Sequence, residues 1–451
     1  MQINSSIFKS YDIRGRYPQE LNDEIAFKVG EIFAWLTKNK KVVVGRDGRL
    51  SSESLFNNLI KGLMKGGTEV ISIGKVPTEC LYFSVANYDF SGGVMITASH
   101  NPKEYNGFKM LIREDSEIKV MRGKEMLAFF ENKPVFLKNE ETNTREREIK
   151  QKDIWHDFIV HILSLCDISS FLPLRVVVDT SNGVASEGIL RVQDKLPVEI
   201  IPLNFEIDGN FSAHGPNPLE EGASEQISKK IKETKADLGF IFDGDGDRVF
   251  LLDEKGELVR ADITLLLLAK YFLNKHPGSK IVYNVICSKA VPEFIKKWGG
   301  EAIVSPVGFV NIREYLLKNK GVMAGELSGH YCFRDHFYFD SGLLTMLILL
   351  EVFSKDKRAV SEIIKEFSLY AKSPEINFKT LNKEEVLNKI KQKYADGRQS
   401  YLDGVTVEYK DWWFNIRASN TEPLIRLTIE ALNEELLREK EKELREFIER
   451  G

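Results

Sequence analysis

Apolar residues recur along the first 150 residues with two different periods. Between residues 21 and 36 they stand three or four positions apart, at Leu21, Ile25, Val29, Ile32 and Leu36, which predicts a helix with one apolar face. The run "KVVVGRD" that follows predicts a short buried strand. Next come "SSESLFNNLIKGLMKGG", typical of a helix with a serine cap, and "EVISIG", a second strand. This alternation predicts parallel sheets flanked by helices.

The combination of a basic residue, an apolar strand and a polar loop leading to a helix occurs three times. It is found in "KKVVVGRDGR", in "LRVVVDTSNG" and in "SKIVYNVICS". Three related α/β domains in tandem would explain this repetition. From about residue 370 the pattern changes, because "TVEYKDWWFNIRASNTEPLIRLTIEAL" predicts a β-hairpin around a polar loop, followed by a charged helix.

Four domains are therefore expected, which agrees with a length of 451 residues. The charge-dense stretch 134–150 is interpreted as a linker or surface excursion. The predicted fold is three tandem related α/β domains with mixed sheets plus a smaller C-terminal α+β domain, around a central cleft. The predicted domain ranges are 1–150, 151–255, 256–368 and 369–451.

Composition excludes several classes of protein. A formal charge of -4 gives no basic field for nucleic acid and no polybasic block for anionic lipid. The most apolar stretches are too short to span a bilayer, and the start carries no signal-peptide pattern, so a cytoplasmic protein is expected. The four cysteines lack the spacing of a disulfide framework or a zinc site: Cys80, Cys166, Cys287 and Cys332.

The strongest chemical signal is "DGDGDR", in which Asp243, Asp245 and Asp247 alternate with glycines after an apolar strand. Glycine lets the backbone bend without steric cost, so the three carboxylates can converge. Such hard oxygen ligands suit Mg²⁺, which usually keeps further positions for water or a phosphate oxygen.

Two other interpretations of this loop are open. An EF-hand would place a glutamate at the twelfth position, where Glu254 falls, but its sixth position requires glycine and here is Arg248. A solvated acidic turn is the second alternative. Three aspartates next to buried strands would repel one another unless a cation lies among them.

Ser99 lies in "VMITASHNP", where an apolar strand ends in a polar turn. Its hydroxyl could cap that turn. Alternatively, it could carry a phosphoryl group that faces the metal, since a phosphoserine has a charge of about -1.5 to -2 and three acceptor oxygens.

Four motifs together resemble the α-D-phosphohexomutase family, and most closely its phosphomannomutases and phosphoglucomutases. They are "TASHNPKEYNGFKM", "DGDGDR", "GELSGH" and "RASNTEPLIR", in the family's order and one in each predicted domain. The resemblance implies an isomerase of carbohydrate metabolism that moves a phosphoryl group reversibly between the 1 and 6 positions of mannose or glucose phosphates. A phosphoserine enzyme and a hexose 1,6-bisphosphate intermediate are implied as well.

The resemblance also assigns a role to individual residues. Ser99 is implied to carry the phosphoryl group and, with Asp243, Asp245 and Asp247, to bind Mg²⁺. Catalytic roles are implied for His330, as the preferred general base, and for Arg14, His100 and Lys109. Substrate contacts are implied for Arg248, for Glu326, Ser328 and His330 around the sugar, and for the cradle of the phosphate that is not transferred: Arg417, Ser419, Asn420, Thr421 and Arg426.

The implied cofactors are Mg²⁺ and hexose 1,6-bisphosphate as activator. The implied partner is a small-molecule hexose phosphate, with no nucleic acid or membrane, and the chain is expected to be a monomer or homodimer. Phe309 departs from the family pattern, because related bacterial enzymes often have histidine there. The alternative functions are a phosphoglucosamine mutase, a phosphatase and a non-catalytic sugar-phosphate sensor.

Overall fold

A computed structural model of the protein describes residues 4–38, 40–115, 117–132, 148–380, 382–419 and 424–450. The chain divides into two compact units. The first consists of Met1–Val259 and His330–Val360, and the second of Arg260–Gly329 and Ser361–Gly451. In the described part of the chain, no helix combines the length and the apolar character needed to cross a bilayer.

The N-terminal sheet of the first unit mixes parallel and antiparallel pairing. Its centre is parallel, and helices bury it. The central strands are accordingly apolar, with valine, isoleucine and methionine. In spatial order the strands are Ile13–Arg16, Tyr105–Glu114, Gly92–Ile96, Val42–Arg46, Val70–Lys75 and Lys150–Gln151, with Glu117–Met121 paired to Tyr105–Glu114.

A second sheet in this unit positions the acidic loop. It has a parallel centre and one antiparallel edge, and its strands in spatial order are Val249–Leu252, Leu238–Phe242, Arg175–Asp179 and Glu199–Leu203. A short antiparallel pair, Tyr331–Phe333 and Phe339–Asp340, precedes the buried helix Gly342–Lys355. The other helices of the unit are Asp23–Leu36, Ser52–Lys65, Thr78–Asn87, Gly123–Asn132, Trp155–Ser164, Ala185–Val192 and Glu225–Thr234.

The first two helices pack closely at a pair of glycines. A Cβ added to Gly30 would lie 2.9 Å from the backbone nitrogen of Leu63, and one added to Gly62 would lie 2.9 Å from the carbonyl carbon of Phe27. The predicted apolar face is confirmed for Ile25, Val29 and Ile32, which are buried. Leu21 is buried but precedes the helix, and Leu36 is half-buried.

The predicted serine cap of the second helix is wrong. Ser51 occupies the N-cap position of Ser52–Lys65, but its side chain makes no capping hydrogen bond. The hydroxyl of Ser51 accepts from the Asn106 amide, and the hydroxyl of Ser52 donates to Asp47 at 2.6 Å. Ser51 therefore connects the helix to the strand Tyr105–Glu114, and Ser52 connects it to the loop that holds Asp47.

The second unit contains parallel strands followed by an antiparallel sheet. The parallel strands are Glu301–Ser305, Lys280–Asn284 and Met323–Gly325. The antiparallel sheet has, in spatial order, Ala371–Lys372, Leu424–Ala431, Trp412–Ala418, Val405–Glu408 and Arg398–Ser400, with Ile376–Lys379 also paired to Leu424–Ala431. The helices are Ala261–Lys275, Ala290–Lys297, Phe309–Asn319, Lys383–Lys393 and Glu434–Arg450, and Val360–Lys365 begins at the unit boundary.

The predicted β-hairpin is confirmed by the antiparallel pair Trp412–Ala418 and Leu424–Ala431. The predicted C-terminal helix is confirmed by Glu434–Arg450. The predicted linker 134–150 falls almost entirely outside the described residues. Its last residue, Lys150, begins a two-residue strand beside Val70–Lys75.

The buried His336, paired with the half-buried His161 in the first unit, predicts acid sensitivity. Nδ1 of His336 lies 3.1 Å from Nε2 of His161, and burial together with His161 lowers the pKa of His336 to about 3. Stability from the neutral His336 is therefore complete above its unfolded pKa near 6.5 and is lost as the pH falls towards 3.

We expect His336→Asn to be less stable than the wild type at pH 7.5 by about 1–3 kcal/mol, because buried packing is lost. Below pH 6.5 the gap should narrow by up to about 1.4 kcal/mol per pH unit, since the variant no longer has this proton to bind on unfolding. Thermal melting followed by circular dichroism between pH 7.5 and 4.5 measures the gap. If the stability difference between wild type and His336→Asn does not change with pH, His336 does not have a lowered pKa in the folded protein.

Candidate active site

Ser99 is held in a tight turn after the strand Gly92–Ile96. Its backbone adopts a left-handed conformation with φ of 53°, which a non-glycine residue maintains only with support from its surroundings. Thr97 supplies part of this support, since its hydroxyl accepts from the Ser99 amide at 2.9 Å. Arg49 supplies the rest by donating to the Ser99 carbonyl at 2.7 Å. The position of the hydroxyl is therefore fixed by neighbouring backbone and side chains.

The Ser99 hydroxyl points into the acidic cluster. It donates to Oδ2 of Asp243 at 2.7 Å, and Nδ1 of His100 lies 3.3 Å from it. Ser99 is buried, as are all three aspartates of the loop. The hydroxyl thus donates to a carboxylate of the acidic loop. This contact favours the interpretation of Ser99 as a residue that faces the metal site over its interpretation as a turn cap.

Asp243, Asp245 and Asp247 occupy the turn between two antiparallel strands, Leu238–Phe242 and Val249–Leu252. Each contributes a carboxylate oxygen within 4.8 Å of the others. Antiparallel strands on both sides, with Arg248 at the sixth position, exclude an EF-hand. The turn is buried, which excludes the solvated acidic turn.

The cluster has the oxygen donors that a hard divalent cation requires. Oδ1 of Asp245 and Oδ1 of Asp247 are buried and have no hydrogen-bond partner among the described residues. Buried carboxylate oxygens without partners are costly in the absence of a cation. The three aspartates, with an oxygen on Ser99, therefore fit Mg²⁺.

Lys109 brings a positive charge into direct contact with this cluster. Its ammonium group contacts Asp245 at 2.8 Å and also contacts Asp247. Burial alone would lower the pKa of Lys109, but the two carboxylates outweigh it and raise that pKa. For Asp247 burial acts in the opposite direction and raises the pKa. The positive charges of Lys109 and His330 outweigh burial and hold the pKa of Asp247 well below its usual range. For Asp243, burial and the neighbouring acids raise the pKa.

Arg248 and His330 lie beside the acids. Nε of Arg248 donates to Nε2 of His330 at 3.2 Å and lies 3.7 Å from Oδ2 of Asp243. The same His330 nitrogen lies 3.5 Å from Oδ1 of Asp247 and 3.6 Å from Oδ2 of Asp340. One imidazole nitrogen is therefore surrounded by a guanidinium and two carboxylates.

Arg14 is fixed beside the serine turn. It forms an ion pair with Asp12 at 2.7 Å and donates to the side chain of Asn101 at 2.8 Å and to the carbonyl of Ala98 at 3.2 Å. Burial lowers the pKa of Arg14, but Asp12 together with Asp245 and Asp247 outweighs burial and raises it. Arg14 therefore remains a cation.

His100 differs from these cations. Burial, reinforced by Arg248 and Arg14, lowers the pKa of His100 well below its usual range. A neutral imidazole thus lies next to the Ser99 hydroxyl.

In the second unit, Glu326 and Ser328 form a local cluster. The Ser328 hydroxyl donates to Oε1 of Glu326 at 2.5 Å, and Oε2 accepts from the amide of Gly308 at 3.1 Å. Phe309, the departure from the family pattern, is the first residue of the helix after Gly308.

The sheet of the same unit brings two arginines together. Arg417 and Arg426 are directly opposite each other on neighbouring antiparallel strands. Ser419 follows the first strand, and its carbonyl accepts from Lys383 at 2.8 Å. Asn420 and Thr421, predicted for the same cradle, lie outside the described residues.

Comparison with known proteins decides the family. Four family models of phosphoglucomutase/phosphomannomutase match in tandem, namely α/β/α domains I, II and III and the C-terminal domain, over residues 5–134, 155–256, 260–370 and 375–447. A phosphomannomutase from Methanocaldococcus jannaschii is 37% identical over 450 residues, covering 98% of this chain and 97% of that protein. The chain belongs to the phosphoglucomutase/phosphomannomutase family.

Other members of this family are similar over nearly the whole length. A phosphomannomutase/phosphoglucomutase from Pseudomonas putida is 34% identical, over 95% of this chain and 92% of that protein. The crystal structure of a family protein from Burkholderia thailandensis superposes with a TM-score of 0.87 at 31% identity, covering 99% of this chain and 98% of that one. The predicted family, the predicted three α/β domains with a C-terminal α+β domain, and the predicted isomerase-class phosphohexomutase are confirmed.

Several residues in the first unit that contact the acidic cluster or the serine turn were not predicted from the sequence. Thr78 donates to Oδ2 of Asp245 at 2.6 Å, and Thr97 connects the same oxygen to the serine turn. Asp340 is buried beside His330, and burial, with the charge of Asp247, raises its pKa well above the usual range. The sequence signal for Asp340 was "DSG", which follows the sugar motif. For Arg49 the signal was its place in the polar loop after the strand of "KKVVVGRDGR", whereas Thr78 had none.

Proposed function

We propose that the chain reversibly transfers a phosphoryl group between the 1 and 6 positions of mannose or glucose phosphates. The reaction runs through phospho-Ser99 and a hexose 1,6-bisphosphate, which also serves as activator by phosphorylating Ser99. One observation carries the proposal: the Ser99 hydroxyl donates at 2.7 Å to a buried triad of aspartates that fits Mg²⁺.

Asp243, Asp245, Asp247 and an oxygen on Ser99 would hold Mg²⁺. When bound, the ion supplies neutralisation of the negative charge that develops on the transferring group. Lys109 and Arg248 add fixed positive charge, and the raised pKa of Lys109 keeps it protonated. Arg14 has the same function, because a cation with a raised pKa is a poor proton donor.

In the forward half-reaction, the free hydroxyl of the sugar forms a bond to phosphorus as the bond from Ser99 Oγ breaks. His330 takes the hydroxyl proton as general base, and Ser99 Oγ leaves as an oxyanion stabilised by the fixed charges of Lys109 and Arg248. When Ser99 Oγ attacks the second phosphate of the bisphosphate, His330 returns the proton to the departing sugar oxygen. Neutral His100, 3.3 Å from Ser99 Oγ, orients the serine. Alignment and charge stabilisation provide most of the rate, since the transition state is loose.

For the second unit we propose binding roles. Glu326 and Ser328 hold sugar hydroxyls, and Arg417, Ser419, Asn420, Thr421 and Arg426 hold the phosphate that is not transferred. Two arginines suit this role because their planar forks form charge-assisted pairs with phosphate oxygens. The domain ranges, the cytoplasmic location and the monomeric or dimeric state stay predictions.

The relatives favour mannose and glucose over glucosamine. Those 34–37% identical to this chain are named phosphomannomutase or phosphomannomutase/phosphoglucomutase. The motif "GELSGH" supports the same choice. A sensor without catalysis is disfavoured by the coincidence of Ser99, the aspartates, Lys109 and His330 in one buried cluster.

A coupled assay tests the proposal. With Mg²⁺ and a trace of the bisphosphate, we expect turnover of mannose 1-phosphate and glucose 1-phosphate, and glucosamine 1-phosphate at least about tenfold slower, the discrimination a single substituent allows. Faster turnover of glucosamine phosphate would establish the alternative mutase. No turnover of any of the three, with no phosphoryl adduct on the intact protein, would establish the sensor.

A further inference from the structure

The two arginines of the proposed phosphate cradle face each other at close range. Arg417 and Arg426 are cross-strand partners in the antiparallel pair Trp412–Ala418 and Leu424–Ala431. Like charges in this arrangement repel each other. Arg417 is buried, with only 7% of its surface exposed, so water screens little of its charge.

Glu375 joins the two guanidinium groups. One carboxylate oxygen accepts from Nη2 of Arg417 at 2.6 Å, and the other accepts from Nη1 of Arg426 at 3.0 Å. A single carboxylate thus bridges both cations and offsets their repulsion. The sequence analysis did not predict a role for Glu375.

The backbone fixes this carboxylate in position. Glu375 directly precedes the strand Ile376–Lys379, whose Asn377 pairs in register with Arg426. On its other side, Ser373 is tied to Ile429 by two hydrogen bonds, one from the Ser373 amide at 2.9 Å and one to the Ser373 hydroxyl at 3.0 Å. Glu375 is therefore anchored on both sides to the strand that carries Arg426.

Arg417 keeps donors for a ligand. Its guanidinium has five N–H groups, and the contact with Glu375 uses one nitrogen. In the described part of the chain, Nε of Arg417 is buried and has no hydrogen-bond partner. An unused, buried and charged donor of this kind points to an anionic ligand.

We propose that Glu375 is a positioning residue for the phosphate monoester that is not transferred. It holds Arg417 and Arg426 in the orientation in which both can bind one phosphate, and it takes no part in the chemical step. This inference rests on the proposed function, because it assumes that the arginine pair is the phosphate cradle. Preorganisation of this kind raises affinity by removing the need to order two long side chains on binding.

The test compares Glu375→Gln with the matched control Glu384→Gln. Both substitutions remove one negative charge from the second unit, but Glu384 is exposed and does not contact the arginines in any described hydrogen bond or ion pair. In the coupled assay with glucose 1-phosphate, Glu375→Gln is expected to raise KM about tenfold and to leave kcat within about twofold. Glu384→Gln is expected to behave as the wild type. Glu375→Asp, which keeps the charge, should lie between wild type and Glu375→Gln.

Arg417→Ala separates the two levels of the proposal. If Arg417→Ala raises KM and Glu375→Gln does not, the cradle stands and the positioning role is wrong. If Glu375→Gln lowers KM, the carboxylate competes with the phosphate, which also overturns the positioning role. If Glu375→Gln lowers both the melting temperature and kcat while it raises KM, Glu375 has a merely structural role. That result also overturns the positioning role. If both Arg417→Ala and Arg426→Ala leave KM unchanged, the cradle itself is misassigned.

Discussion

Ser99→Ala is expected to lose mutase turnover by at least about four orders of magnitude, because it removes the hydroxyl that is proposed to carry the phosphoryl group and that donates to Asp243. The variant keeps Asp243, Asp245 and Asp247, so its metal site loses one ligand but not its carboxylates. Intact-protein mass spectrometry gives an independent measurement. The wild type should carry an adduct of roughly 80 Da after incubation with hexose 1,6-bisphosphate, and the variant should carry none.

A serine far from the cluster provides the control. Ser169 is exposed, and its hydroxyl donates to Asp167. Ser169→Ala should keep wild-type turnover and the adduct. Near-normal turnover by Ser99→Ala would show that the phosphoryl group is carried elsewhere or passes directly between substrates, and the phosphoserine mechanism would then be wrong.

Local patterns predicted the residues that follow buried strands. A buried apolar strand with a polar loop at its end marks both the turn of Ser99 and the loop of Asp243. In α/β sheets, functional side chains cluster at the carboxyl ends of the strands. The acids and the serine were therefore visible as separate motifs, and the family resemblance joined them.

Residues that act through a distant partner could not be predicted in this way. Thr78 and Asp245 are 167 positions apart, and Glu375 and Arg417 are 42 apart, so nothing in the neighbouring sequence reports either contact. Burial decides the importance of such contacts. A threonine or glutamate that would be unremarkable on the surface becomes a positioning group when its partner is a buried charge.

The capping prediction failed for a related reason. Ser51 has the right residue type and position for an N-cap, yet its hydroxyl is used by Asn106. Intrinsic preferences give way when a tertiary partner offers a competing hydrogen bond. The same competition decides the role of Ser99, whose hydroxyl turns towards Asp243.

Asp245→Asn is expected to remove most of the stabilisation by Mg²⁺ and to lower turnover about 10²–10³-fold. Wild-type protein stripped with a chelator should gain about 2.7 kcal/mol of stability when Mg²⁺ is added at a hundredfold excess over its Kd, which is a rise of a few degrees in melting temperature. The variant should show little of this rise, since one of three converging carboxylates has become neutral. Thermal melting with and without Mg²⁺ measures the effect without any turnover.

The melting temperature of the chelated protein distinguishes lost metal binding from damage to the fold. The asparagine keeps an oxygen for the Thr78 hydroxyl. It removes the ion pair with Lys109 but also one of three mutually repelling charges, so chelated Asp245→Asn should melt close to the wild type. Asp253→Asn is the matched control, because Asp253 is a buried acid of the same unit that accepts from the amides of Lys255 and Glu257. It should melt lower yet keep the full rise with Mg²⁺. A full rise in Asp245→Asn would show that the cation binds without this carboxylate, and the acidic triad would not be the metal site.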